Sequence, residues 1–186
     1  MVEKTQSEEM HLWNNFISGD DDAFRSLFDT FVNQLFIYGL NFMYNKELIK
    51  DCVQDLFVKL YTDRKKLKPV SNVRVYLYKS LKNSIFNLFR KEETLIHIDT
   101  IEPVFLLETS IESQIIENEI ETGRKKAIND MIKQLTPRQC EVLYYRYVEE
   151  LSYEEICDLM KMNYQSVRNL LHRTISKLKS FSKTDY

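Results

Sequence analysis

Over residues 135–179 the chain starts a helix three times, and each start is written in the residues that begin it. Thr136-Pro137-Arg138-Gln139 supplies a capping hydroxyl, a proline where the helix has no donor to lose, and a glutamine three residues after the cap. Ser152-Tyr153-Glu154-Glu155 is a second capping box, and Asn163 caps a third helix with Val167, Leu170, Leu171, Ile175 and Leu178 facing its core. With a helix over 124–134 ahead of them, four helices are expected here. The last one carries only basic charge: from residue 161 to 184 there are Lys161, Arg168, Arg173, Lys177, Lys179 and Lys183 and no acid. A helix, a three-residue turn and a purely basic helix suit the major groove of DNA.

The rest of the chain is read the same way. Three Gly and three Pro in 186 residues leave little material for β-turns, so an all-α fold is expected. Residues 1–10 are polar and read as a frayed start. Gly19 and Asp20-Asp21-Asp22 then punctuate the chain, the acids suiting the positive end of a helix. Phe24, Leu27, Phe28, Phe31, Leu35 and Tyr38 recur at helical spacing, as do Leu48, Cys52, Leu56 and Leu60 in a helix beginning near Asn45. Residues 62–71 break the period with a basic cluster and Pro69. Asn72 then caps a long helix striped with Val73, Leu77, Leu81, Ile85 and Leu88. Residues 92–123 have weak periodicity and read as a linker with one short helix near 111–120.

Net charge is only −2, but its distribution is uneven. Lys and Arg against Asp and Glu number 4 to 10 over residues 1–58, 10 to 1 over 59–91, 0 to 9 over 92–123 and 12 to 8 over 124–186. Two basic blocks flanking an acidic one imply two polyanion-binding surfaces joined by a solvated or repelled connector. Cys52, Cys140 and Cys157 are far apart and lie on apolar helical patterns, as buried reduced thiols do. With no secretion signal or membrane-length apolar run, a cytoplasmic protein is expected. No phosphate loop, nucleophile motif or ligand-spaced His set occurs, so neither an enzyme nor a metal or other cofactor is expected.

On the final helix, glutamine and asparagine can pair with adenine and arginine with guanine. Gln165, Arg168 and Asn169, in its first two turns, are assigned to base edges. Tyr164, Ser166, His172, Arg173 and Lys177 are assigned to the duplex backbone, and Lys161, able to add a phosphate contact, and Asn163 are counted among the DNA-binding residues. At these residues the chain resembles region 4 of bacterial RNA polymerase sigma factors of the extracytoplasmic-function (ECF) group, in the runs LSYEEI and SVRNLLHR. That resemblance implies binding of the −35 promoter element. The family usually has Gly in the turn where this chain has Lys161, a left-handed position that costs a side chain about 1 kcal/mol.

The N-terminal half resembles sigma region 2. Asp51, Gln54 and Asp55 share a helix face, and with Phe57 they lie in the segment that, by the resemblance, grips the coiled coil of the polymerase's largest subunit. The following segment resembles the part that opens and reads the −10 element. A basic groove with aromatic surfaces holds unstacked bases. Lys65, Lys66, Lys68, Ser71, Asn72, Arg74, Tyr76, Lys79, Asn83 and Arg90 are the residues placed there, with loop 68–72 as the specificity loop. Tyr76 stands where the family commonly has Trp, and it reads either as a stacking ring or as core.

The resemblance thus implies region 2 at 15–92, an acidic linker at 93–123 and region 4 at 124–182. The implied partners are core RNA polymerase (through the coiled coil, and through its flap for region 4), promoter DNA and an anti-sigma factor, with no membrane insertion. Two other readings are a helix-turn-helix regulator with a helical effector or dimerisation domain, and a sigma-like adaptor that binds protein but not DNA.

Overall fold

The computed structural model describes residues 2–96, 105 and 130–181, and among them there is no strand. The chain divides into two compact units, Met1–Pro103 and Val104–Tyr186. The expected short helix near 111–120, most of the expected helix over 124–134 and Lys183 lie outside the described residues.

The first unit has four helices: α1 Val2–Ser18, α2 Asp21–Leu40, α3 Lys46–Thr62 and α4 Val73–Ile96. Asp20 caps α2, its carboxylate accepting from the amides of Asp22 and Ala23, and Asn45 caps α3 through the amide of Leu48. Asn72 does the same for α4 through the amide of Val75 at 3.1 Å. Gly19 makes the turn between α1 and α2 at φ 116°, a conformation L side chains rarely adopt.

Phe31, Leu35 and Tyr38 of α2 and Leu77, Leu81 and Ile85 of α4 are all essentially inaccessible, and Tyr38 stacks on Tyr78 at 4.2 Å and 10°. Ile49, Cys52, Leu56 and Leu60 bring α3 onto the same core. At Gly39 a Cβ would lie 2.6 Å from Ile49 Cγ2, so only glycine lets α2 approach α3 this closely.

Two features differ from the sequence expectation. Residues 1–10 are not a frayed start, because α1 runs from Val2 and buries Glu9, Trp13 and Phe16 on one face. Phe28 of the α2 stripe stays 37% exposed, since it lines an open groove of about 610 Å³ with Val32, Phe36, Val53 and Gln54.

The second unit contains α5 Pro137–Leu143, α6 Tyr153–Met160 and α7 Tyr164–Phe181, after helical residues 130–133. Both predicted capping boxes form, with Thr136 and Gln139 exchanging bonds at 3.3 and 3.0 Å and Ser152 and Glu155 at 3.2 and 2.8 Å. Past α5 the backbone widens into a π turn, Tyr144–Val148, closed by the Glu149 amide on the Tyr144 carbonyl at 3.0 Å. Two side-chain bonds brace this wide turn: Tyr144 hydroxyl to Glu149 at 2.7 Å and Tyr145 hydroxyl to the buried Glu141 at 3.0 Å. Phe105, from the stretch read as linker, is buried with its ring 5.4 Å from that of Tyr144.

In α7, Val167 and Leu171 are buried as expected, but Thr174 is the third inaccessible residue while Leu170, Ile175 and Leu178 are half-buried. The Thr174 hydroxyl donates to the Leu170 carbonyl at 2.7 Å, which lets a polar side chain occupy a core position.

Candidate nucleic-acid interface

The turn between α6 and α7 is built from Lys161, Met162 and Asn163. Lys161 ends α6 in the left-handed region at φ 53° and ψ 47°, as the capping geometry requires, and the Met162 amide closes on the Cys157 carbonyl at 3.1 Å. Asn163 then caps α7 through the Ser166 amide at 2.8 Å. Replacing Lys161 by glycine is expected to raise stability by about 1 kcal/mol, read as a higher thermal midpoint. The same replacement removes an exposed cation from the face that carries the basic helix, so DNA affinity should fall as stability rises.

The face of α7 away from the core carries Gln165, Arg168, Asn169, His172, Arg173 and Ser176, all exposed. Arg168 is exposed and makes no hydrogen bond or ion pair among the described residues. Gln165 donates to Asn169 at 3.1 Å, which holds two amide side chains side by side in the first two turns. Tyr164 is half-exposed at the start of the helix, its ring 5.4 Å from Tyr153. Lys177 is differently occupied: its ammonium donates to the Gln134 carbonyl, 43 residues away in the chain, so it ties α7 to the preceding segment.

In the first unit, the acidic face of α3 is laid out as the spacing predicts. Asp51, Gln54 and Asp55 are exposed, and Val58, one turn further on, is 57% exposed on the same face. Phe57 is the exception. It is buried, with ring contacts to Phe28 at 4.9 Å and Phe24 at 6.2 Å, so it supports the helix from beneath and offers no surface to a partner. Burial pushes the Cys52 thiol up, and the carboxylates of Asp55 and Asp51 push it further. The thiol therefore stays protonated and is a poor nucleophile.

A short 3₁₀ turn, Arg64–Lys66, and the loop 67–72 join α3 to α4. Between them lies a pocket of about 340 Å³, lined by Leu60, Lys66, Tyr76, Ser80, Asn83 and Asn87 among others. Tyr76 is half-buried: its ring meets Trp13 edge-on at 5.0 Å, and the residue also lines this pocket. The four polar residues 80, 83, 84 and 87 recur at helical spacing on one face of α4, a signal that sequence reading used only at Asn83.

Of the cations read as DNA-facing, Lys65 and Lys68 are exposed, as are the side chains of Ser71 and Arg90. Lys79 is half-buried on α4. Lys66 is paired with Asp63 at 2.6 Å, a contact that raises the ammonium's pKa and lowers that of the carboxyl. Arg74 is bound to the buried Glu9 at 3.1 Å, and Asn72 is the cap of α4. These residues shape the site from within rather than present free groups to a strand.

Among the described residues no cluster of His, Cys, Asp or Glu could hold a metal ion, and no helix is long and apolar enough to cross a membrane.

Comparison with known proteins agrees with this geometry unit by unit. The sequence pattern of sigma-70 region 2 matches residues 27–94, and that of sigma-70 region 4 matches residues 125–178. The RNA polymerase sigma factor YlaC of Bacillus subtilis is 25% identical over 158 residues, covering 85% of this chain and 91% of YlaC. Among solved structures, CnrH in complex with the cytosolic domain of CnrY shares the fold at a TM-score of 0.61 and 17% identity, covering 96% of this chain and 99% of that one. The sigma factor RpoE of Bartonella quintana, in complex with the anti-sigma factor NepR, does so at 0.60 and 17%, covering 88% and 98%. With its two regions matched in order over most of its length, the chain belongs to the sigma-70 family of RNA polymerase sigma factors.

Proposed function

We propose that this factor works as a two-point promoter grip carried to DNA by core RNA polymerase. Region 2, taken as 15–92 together with α1, holds the polymerase through the exposed Asp51, Gln54 and Asp55 and receives an unstacked −10 base beside loop 68–72. Region 4, taken as 124–182, sets α7 into the −35 duplex. Gln165, Arg168 and Asn169 read bases there, and the cations and hydroxyls around them hold phosphates. The acidic stretch 93–123 is repelled by DNA and serves as the connector. The factor supplies recognition and strand opening, while the chemistry of RNA synthesis belongs to the polymerase. It works in the cytoplasm, where the chromosome is.

The observation that carries this reading is the pocket lined by Tyr76, Asn83 and Asn87, with Lys59 and the Lys66–Asp63 pair also on its wall. It offers a ring, amide groups and positive charge where a base leaving its stack needs all three. By analogy with the complex of RpoE with NepR, an anti-sigma factor is the expected regulator.

The direct test is run-off transcription with purified core polymerase on promoter templates. Promoter-dependent transcripts are expected only when the chain is added. No such transcripts with an active core would return the chain to the helix-turn-helix regulator reading. Within region 4, Arg168→Ala should cost about 1–3 kcal/mol of binding and relax preference at one −35 position. Lys177→Ala should weaken all duplexes alike, by a smaller factor, because its ammonium is shared with the Gln134 carbonyl. Binding titrations over a set of single-base −35 variants separate the two patterns.

A further inference from the structure

Loop 68–72 has no hydrogen-bonded ladder of its own, yet side chains of α1 fasten it at two points and hold α4 at a third just beyond it. The indole N–H of Trp13 donates to the Lys68 carbonyl at 3.0 Å, across 55 residues of sequence. The amide of Gln6 donates to the Ser71 carbonyl at 3.4 Å. Glu9, almost fully buried, binds Arg74 in the first turn of α4, directly after the loop. Trp13 also presses edge-on against Tyr76, an aromatic residue lining the pocket.

This is an unusual way to fill a core. A buried carboxylate is expensive unless it is paired, and an apolar residue at position 9 would pack α1 at lower cost. The sole tryptophan of the chain could have its N–H satisfied by any acceptor, and the acceptor it meets is a carbonyl of the loop. Both kinds of contact serve to fix backbone that would otherwise have to be ordered when a ligand arrives. Pro69, with its φ locked, works in the same direction. Preorganised loops discriminate better because a wrong ligand cannot be accommodated by shifting them. Glu9 and Trp13 precede the residues 27–94 matched by the region 2 pattern, so the family match does not assign them any part in recognition.

We propose that α1 is the brace of the base-reading loop, and that Trp13 is the positioning residue that fixes the loop's placement relative to the Tyr76 ring. It touches no DNA and acts through the Lys68 carbonyl and the Tyr76 ring. The proposal rests on the reading of loop 68–72 as the −10 contact given above.

The test uses the full chain and core polymerase on a promoter library randomised across the −10 segment, with transcripts sequenced. Thermal midpoint and core-polymerase affinity are measured in parallel. Trp13→Phe keeps an aromatic ring and removes the N–H. In case phenylalanine packs too poorly to fold, a second form of the chain carries the benzothienyl analogue of tryptophan at position 13, which replaces the N–H by sulfur in a ring of the same shape.

The unmodified factor should enrich particular bases in the −10 segment. Both altered forms should lose about five-fold of that enrichment at one or two adjacent positions, the scale of one neutral hydrogen bond. Enrichment elsewhere and polymerase affinity should stay within about two-fold, inside the ordinary scatter of a surface-neutral change. An unchanged enrichment profile in the folded variants overturns the brace, and so does an equal loss at every position. Absence of any −10 enrichment by the unmodified factor would instead bring down the −10 reading itself.

Discussion

Asp55→Lys is expected to lower affinity for core RNA polymerase by about 100-fold, the scale of reversing a charge inside a complementary polar interface. Asp55 stands in the middle of an exposed face whose other members are Asp51, Gln54 and Val58. Burial raises the Cys52 thiol beneath this face, and the charges of Asp55 and Asp51 raise it further. Lysine at position 55 would cancel that field and set a cation against the basic groups that an acidic face is suited to meet. The substitution should not unfold the helix. Asp55 makes no hydrogen bond or ion pair among the described residues, and lysine is a good helix former at an exposed position. The measurement pairs a polymerase-binding titration with thermal denaturation and with binding to a −35 duplex. Affinity for polymerase should collapse while the other two hold. Loss of all three together would mean that the face is structural.

What could be read from the sequence and what could not divide along a physical line. Caps at Asp20, Asn45, Asn72, Thr136, Ser152 and Asn163 all form, because a cap is settled within four residues of itself. The left-handed Lys161 is legible for the same reason. The α1 helix is not. Its polar start reads as frayed because the Arg74 that neutralises Glu9 lies 65 residues further on. Lys66, Arg74 and Lys177 look like free cations in a list of residues, and only the fold shows the carboxylates or carbonyl that occupy them. Helical spacing names the stripe but not its edges, so it places Ile175 inside where Thr174 is. It also places Phe28 in the core where a groove opens.

That same limit governs the neighbouring residues Phe57 and Val58, adjacent in the chain and opposite in fate. Phe57, read from the sequence as a polymerase contact, is buried against Phe24 and Phe28. Phe57→Ala is therefore expected to cost about 3–5 kcal/mol of stability through lost burial and the cavity left behind. For a domain held by about 5–15 kcal/mol this is a large fraction, and the thermal midpoint should fall steeply. Polymerase binding would then fall only to the extent that the chain unfolds. Adding excess core should restore part of it by mass action. Val58→Asp makes the contrasting case. Its side chain is mostly in solvent, so stability should stay within about 0.5 kcal/mol. Polymerase affinity should nonetheless drop, because an apolar contact at the end of the acidic face is replaced by a further charge that must be desolvated. Denaturation midpoints and polymerase titrations of the two variants thus separate support from contact. If Phe57→Ala binds weakly while fully folded, the ring has a role at the surface that its burial does not reveal.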